Sequence, residues 1–278
     1  CRHLCPMGAF AGLCSTSSVL ELRPTQDICS ARCQGHACYK GDATVPGCPM
    51  SQHVMFVDSN KDCVLCLNCV RLCPNGSPQL NLRVPAREIW TTMMARPQTA
   101  SFVALLLGLL LGQAVLQALE ASAGAWPSVT AFYEAHRPLL VTAILVSSAA
   151  LGLGILRLAS RQAASDADPV LRTLHWQRVT AWAPMVVAGY AAYQLGNIPG
   201  FARLQLTLGG PDPWVTLRIL PALQAVTLVL GLAVTAGALW KIRPPEAADA
   251  GFRWYRGQTV GLLSATCYAA VLLLVMVL

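Results

Sequence analysis

The stretch Cys63-Val-Leu-Cys66-Leu-Asn-Cys69-Val-Arg-Leu-Cys73-Pro74 decides how the rest of this chain is read. Cysteines spaced C-x2-C-x2-C-x3-C and followed by proline form the bacterial pattern for holding cubane iron–sulfur clusters. The spacing has a physical reason. Three closely spaced thiolates wrap three irons of one cube, and the fourth, turned away at Pro74, reaches towards a second cube. Val64, Leu65 and Leu67 lie between the ligands and can shield such a cluster from water, which helps set its potential. Structural zinc sites use two separated cysteine pairs, so four cysteines this crowded do not fit one.

A second set lies upstream. Cys29, Cys33 and Cys38 are separated by three and four residues, and Cys48-Pro49 follows after nine more. This is a stretched version of the same pattern. Exchange of the fourth ligands predicts one 4Fe–4S cluster on Cys29, Cys33, Cys38 and Cys73, and another on Cys63, Cys66, Cys69 and Cys48. A two-cluster ferredoxin-like domain is therefore expected over residues 28–82. Gly35, Gly41 and Gly47 suit the turns that the long upstream gaps require. His36 and His53 lie nearby, but eight cysteines already supply two clusters, so both read as surface or supporting residues.

Residues 1–27 carry a third set, Cys1-Arg-His-Leu-Cys5-Pro6, with Cys14 beyond it. Cys1 and Cys5 stand at i, i+4, which puts two thiols on one helix face. Three readings stay open for the pair: a cluster or metal ligand, a redox-active dithiol, or packing. Cys14 and the isolated Cys267 read as buried apolar residues.

Eleven of the twelve cysteines lie in the first 73 residues, and past Thr99 the composition changes. The whole chain is 55% hydrophobic and 12% charged, against about 25% charged for a soluble domain. Five segments are free of Asp, Glu, Lys and Arg and long enough to cross a bilayer: Ser101–Leu119, Pro138–Leu156, Val179–Leu195, Ile219–Trp240 and Gln258–Leu278. Trp126, Tyr133, Trp176, Trp214, Trp240, Trp254 and Tyr255 gather near their ends, as interfacial aromatics do. The fold class expected is a membrane protein: an α-helical transmembrane bundle of five spans over residues 99–278, behind the N-terminal cluster domain. Pro184 and Pro221 should kink the third and fourth helices or loosen their first turns. Residues 83–98, with Ile89, Trp90, Met93 and Met94 on one face, read as an interfacial helix or linker. The chain starts at Cys1 and stops within an apolar run, so it reads as a fragment.

Basic residues alternate between the ends of these segments. Arg83, Arg87 and Arg96 precede the first span, Arg137 alone precedes the second, and Arg157, Arg161, Arg172 and Arg178 follow it. Arg203 and Arg218 come next, then Lys241, Arg243, Arg253 and Arg256. The positive-inside rule puts the cysteine-rich domain in the cytoplasm, with the chain in the inner (cytoplasmic) membrane. That compartment argues against disulfides. The net charge of +7 is spread among segment ends rather than gathered in a basic run, so nucleic acid is not an expected partner.

Cys1-x3-Cys5-Pro-Met-Gly-Ala-Phe, followed by ferredoxin-type runs and membrane helices, resembles the membrane polyferredoxins of the NapH and NosR type. The likeness covers Cys1 to about Trp90, and the membrane half is similar in kind only. It implies a cytoplasmic cluster domain that joins quinol or donor oxidation to a partner redox protein, with Cys1 and Cys5 on the C-x3-C-P motif. The x3, x4 and x9 gaps of the upstream set are wider than the family's usual ones.

The chain has no nucleophile paired with a base and no phosphate loop. An electron-transfer subunit is therefore expected, rather than a stand-alone enzyme. Its expected contacts are membrane lipid, a partner redox protein and a quinone or quinol. Two other readings stand beside it: a metal (copper) or thiol reductase in cofactor assembly, using Cys1 and Cys5, and a transmembrane redox sensor. His136 and His175 are expected at opposite faces of the bilayer, too far apart to ligate one haem.

Overall fold

The computed structural model describes residues 5–57, 59–91, 96–122, 127–164, 169–207, 214–242, 263–272 and 274. The chain divides into two compact units, Cys1–Met93 and Met94–Leu278.

In the first unit, Pro6 opens helix α1 (Pro6–Thr16), with Cys5 as its N-cap. Pro suits this place, because an N–H there has no partner inside the helix. Strand β1 (Leu20–Pro24), helix α2 (Gln26–Arg32) and helix α3 (Ala37–Lys40) follow. After two short 3-10 turns, Val54–Phe56 and Asn60–Asp62, come helix α4 (Asn68–Leu72), strand β2 (Pro78–Leu82) and helix α5 (Arg87–Thr91). The strands form a two-stranded antiparallel sheet with Leu22 opposite Leu80. Residues 20–24 thus join residues 78–82 across the expected boundary at residue 27.

A buried ion pair ties the unit's two ends together. The Arg83 and Glu88 side chains are both fully enclosed and in contact. Arg83 also donates to the carbonyls of Ser15 and Thr16 in the last turn of α1 and of Ser18 just past it, where a cation suits the helix dipole. Glu88 accepts from the Ser59 hydroxyl at 2.7 Å and the Asn60 amide at 3.0 Å. Arg83 was counted above among the membrane-topology charges. Its enclosure removes it from that count, while Arg87 and Arg96 remain exposed. The interfacial helix expected over 83–98 corresponds, among the described residues, to α5 alone. There Ile89 is buried within the first unit, and Met93 and Met94 lie outside the described residues.

The second unit is helical: α6 (Pro97–Ser122), α7 (Pro127–Ala164), α8 (Pro169–Thr180), α9 (Ala183–Thr207) and α10 (Trp214–Lys241). Among the described residues, three stretches are long and apolar enough to cross a membrane: Pro97–Glu120, Ala131–Arg161 and Leu220–Lys241. They match the first, second and fourth expected segments. The third expected segment is divided by a turn at Ala181–Trp182, which leaves Pro184 in the first turn of α9, where it costs little. Beyond it, Gln194 and Asn197 dilute the apolar character of α9. Of the fifth, the described part is the apolar helix Leu263–Leu272.

Helices α6 and α7 approach closely through small residues. A Cβ on Gly108 would meet the Ser148 carbonyl, and one on Gly152 the Ala104 carbonyl. This is the small-residue contact by which membrane helices gain dispersion attraction. Helix α9 packs against α10, where the buried Gln224 amide donates to the Ala192 carbonyl at 2.9 Å. Leu110, Met185, Leu228 and Leu272 form the core. Cys267, expected to be buried, is exposed. Its helix turns Ala265, Ala269 and Leu272 inward, and position 267 falls on the other face.

Candidate cluster-binding site

The two cysteine runs share a local design that their spacing hides. In the downstream run, Leu67 sits at φ 62° as N-cap of α4, two residues before Cys69, and the Cys73 amide donates to the Cys69 carbonyl at 3.2 Å. In the upstream run, His36 sits at φ 52° as N-cap of α3, two residues before Cys38, and the Cys48 amide donates to the Cys38 carbonyl at 3.1 Å. In each run the fourth cysteine closes on the third. The two short helices α3 and α4 also touch.

The nine-residue gap before Cys48 is a loop folded back on itself. Gly41 and Pro46 form an isolated antiparallel bridge. The Asp42 carboxylate accepts from the Thr44 amide and the Val45 amide at 2.7 Å each, and from the Thr44 hydroxyl at 2.8 Å. These bonds, led by the one from Val45, hold its carboxyl below the usual aspartate range. Gly41, at φ 82°, and Gly47 stand back to back: a Cβ on Gly41 would lie 2.5 Å from the Gly47 nitrogen. The loop can therefore leave the chain after Cys38 and return at Cys48 without displacing either.

The thiols sort into two groups. Burial raises the Cys38 thiol pKa, and the thiols of Cys33, Cys73 and Cys29 push it further the same way. Burial likewise raises Cys63, whose thiol neighbours are Cys66 and Cys48. Cys69 is pushed up to about 11 by burial and by Cys63, Cys66 and, last, Cys38. Thiols that raise one another on losing their protons are neighbours of one sign, and in free form they hold protons that a bound metal displaces. A cavity lined by Cys48, Cys63, Cys66 and Cys69, with Val64 and Leu67, lies on one side. Cys33, Cys38 and Cys73 line another. Counting Cys29, which lies within electrostatic reach of Cys38 but does not line that cavity, each group takes three cysteines from one run and one from the other.

Backbone amides face these sulfurs. The Leu65 amide donates to Cys63 Sγ at 3.4 Å, and the amides of Val54 and Val70 act likewise on Cys38 and Cys69. The Ser77 hydroxyl lies 3.0 Å from the buried Cys29 Sγ. Leu22, Val54, Met55 and Leu65 pack against Cys29, Cys38, Cys63 and Cys69, while Val64 and Leu67 stay partly exposed at the cavity edge. Cys66 is the exposed thiol of its group. Cys5 is half-buried at the start of α1, Cys14 is half-buried within it, and Cys1 lies outside the described residues.

Sequence reasoning set His36 and His53 aside. In the structure His36 Nδ1 lies 3.6 Å from Cys33 Sγ and 3.3 Å from His53 Nε2. Burial, and then His36, lower the His53 pKa below the ordinary histidine value. Their spacing within the cysteine runs was the available signal, masked by the surplus of thiols.

No protein-family model, curated protein or solved structure matches this chain. The functional reading therefore rests on the geometry and the sequence.

Proposed function

We propose that this chain is a membrane-bound electron-transfer protein of the NapH and NosR polyferredoxin type, carrying two 4Fe–4S clusters on the two crossed sets of cysteines. One observation carries the reading. Cys48, Cys63, Cys66 and Cys69 line one cavity and Cys33, Cys38 and Cys73 another, with the Cys29 thiol within electrostatic reach of Cys38. An all-thiol donor set with apolar cover and amide donors is the chemistry such clusters take. The set of Cys29, Cys33, Cys38 and Cys73 would hold the first, and Cys48, Cys63, Cys66 and Cys69 the second.

Each cluster, when bound, supplies a reversible one-electron couple. The chain's own residues supply the rest. Leu22 and Val54 keep water from Cys29 and Cys38. The amides at Cys38, Cys63 and Cys69 favour the charged thiolate over the thiol. Cys38 lies within electrostatic reach of Cys69, so the two sets are neighbours, as an electron relay requires. Exposed Cys66 gives the second set an edge where a partner redox protein can approach.

The apolar helices favour a place in the bilayer, and the alternation of basic residues favours the inner membrane with the clusters on the cytoplasmic side. The second unit also holds an apolar cavity of about 410 Å³, lined in part by Gly108, Ser148, Gly152, Trp182 and Tyr268. Small-ligand pockets have volumes of roughly 300–1,000 Å³, which supports a quinol as the membrane donor or acceptor.

The test is reconstitution of the full chain in liposomes with a quinol on one hand and reduced ferredoxin on the other. Cluster reduction is followed by loss of visible absorbance. Bleaching by either donor, altered in Cys66→Ser, is expected. Failure of both donors to reduce the clusters would end the relay reading and bring the metal-handling alternative forward.

A further inference from the structure

Among the described residues, one group of histidine and cysteine side chains converges as a metal site without belonging to the two thiol sets as a whole. Cys33 Sγ, His36 Nδ1 and His53 Nε2 all lie within 4.8 Å of one another. They come from three places: the C-cap of α2, the N-cap of α3 and the N-cap of the turn Val54–Phe56. The imidazole rings stand edge to face, with centroids 5.1 Å apart and planes at 77°.

Two of the three separations match a tetrahedral ion, and the third is within 4.8 Å. Zinc–sulfur bonds of about 2.3 Å and zinc–nitrogen bonds of about 2.0–2.1 Å put sulfur and nitrogen about 3.6 Å apart and two nitrogens about 3.3 Å apart. Cys33 Sγ to His36 Nδ1 is 3.6 Å, and His36 Nδ1 to His53 Nε2 is 3.3 Å. Hydrogen bonding serves the trio less well. His36 Nδ1 takes part in both contacts, and a ring nitrogen offers one proton or one lone pair. One ion accepts lone pairs from all three. The exposure of His36 leaves a fourth position open to water. Binding at His53 Nε2 puts that ring's proton on Nδ1, so the bond it accepts from the Met55 amide must be released. That bond, at 3.3 Å, is already long.

We infer that Cys33, His36 and His53 form a mononuclear site for a borderline divalent metal ion such as Zn²⁺, and that filling it withholds Cys33 from the first cluster. The second half rests on the proposed assignment of Cys33 to that cluster; the first half stands without it. Divalent metal would then set whether the first cluster can be built, while the second set, which contains none of the three residues, is untouched.

The test uses the full chain in detergent, stripped of iron under anaerobic conditions and titrated with Co²⁺ as the spectroscopic probe. Bound Co²⁺ with imidazole nitrogen couplings beside thiolate charge transfer is expected. His36→Asn, which tolerates the left-handed turn, and His53→Ala should each remove those couplings. Each should weaken that binding by more than about 100-fold, the upper end of what loss of a supporting residue costs a metal site. Nitrogen couplings that are absent, or unchanged in both variants, would overturn the site. A second arm adds Zn²⁺ before reconstitution with iron and sulfide. Iron should fall from about eight to about four per chain, on four per cluster, but not in the double histidine variant. Equal loss in both would overturn the competition. Failure to build any cluster without Zn²⁺ would instead sink the electron-transfer reading and overturn the competition with it, leaving the site to be decided by the nitrogen couplings.

Discussion

At the scale of single residues, Arg83 and Glu88 are the costliest to disturb. Each is enclosed, and each holds contacts from several parts of the first unit. Removing one partner of an isolated buried pair costs about 3–5 kcal/mol; here Arg23 stays 3.5 Å from Glu88 and Glu21 lies 3.2 Å from Arg83, so part of the charge remains compensated. Arg83→Met should still destabilise the first unit measurably in denaturant titration, by less than that range, and Glu88→Gln by less again, because the amide oxygen still accepts. Equal, near-zero effects would mean that the pair is not enclosed in solution. Ser77 offers a finer test. Its hydroxyl lies 3.0 Å from both the Thr25 carbonyl, to which it donates, and Cys29 Sγ, and its one proton can turn to a thiolate there; hydrogen bonds to sulfur stabilise the more negative, reduced cluster. Ser77→Ala should lower the potential of the first cluster in a redox titration and leave the second unchanged. None of this was legible from spacing. Arg83 read as one of several arginines near a membrane, because a charge count cannot tell an enclosed guanidinium from a solvated one.

At the scale of elements, the loop from Cys38 to Cys48 decides whether the upstream run can behave like the downstream one. The sequence gap of nine residues looked like a weakened motif. The bridge at Gly41 and Pro46 and the amide bond from Cys48 to Cys38 explain why the gap is harmless. Gly47→Ala would drive a methyl into the Tyr39 carbonyl. It should displace Cys48 and damage the cluster on Cys63, Cys66 and Cys69, sparing the other. Cys48→Ser should do the same, and loss of the Cys29, Cys33 and Cys38 cluster instead would contradict the crossed assignment. The Asp42 carboxyl is held below its ordinary range. The folded loop is therefore stabilised above the free aspartate value of about 3.9, and that contribution is lost as pH falls through the lower folded value. Protection from hydrogen exchange over residues 42–47, relative to the free-chain rate at each pH, should be high at pH 6 and fall in strong acid, and Asp42→Asn should lower it at pH 6 but not in strong acid. A loop equally open at pH 6 in both proteins would refute that role.

For the molecule as a whole, the composition break near residue 99 and the apolar segments were plain in the sequence, because a bilayer demands long charge-free runs. Three of the five expected spans return as helices long and apolar enough to cross. The third segment differs at Ala181–Trp182, a break that hydropathy averages over, since both residues are apolar and interrupt only the backbone. The basic residues predict a direction. A reporter fused at Gly210 should lie outside and one at Ala248 inside, both positions being outside the described residues; the reverse pattern would move the cysteine domain to the other side. The small-residue contact makes a separate claim: Gly108→Leu should part α6 from α7 and lower expression of folded protein in the membrane. Above all of these stands the claim that the two thiol sets hold two 4Fe–4S clusters. The direct measurement is the iron and sulfide content of anaerobically purified full-length protein, with paramagnetic resonance after dithionite. The account predicts about eight irons per chain, four for each cluster, and a low-temperature signal broadened by interaction between two neighbouring reduced clusters. A single bound zinc ion, with no low-temperature signal after reduction, would contradict it.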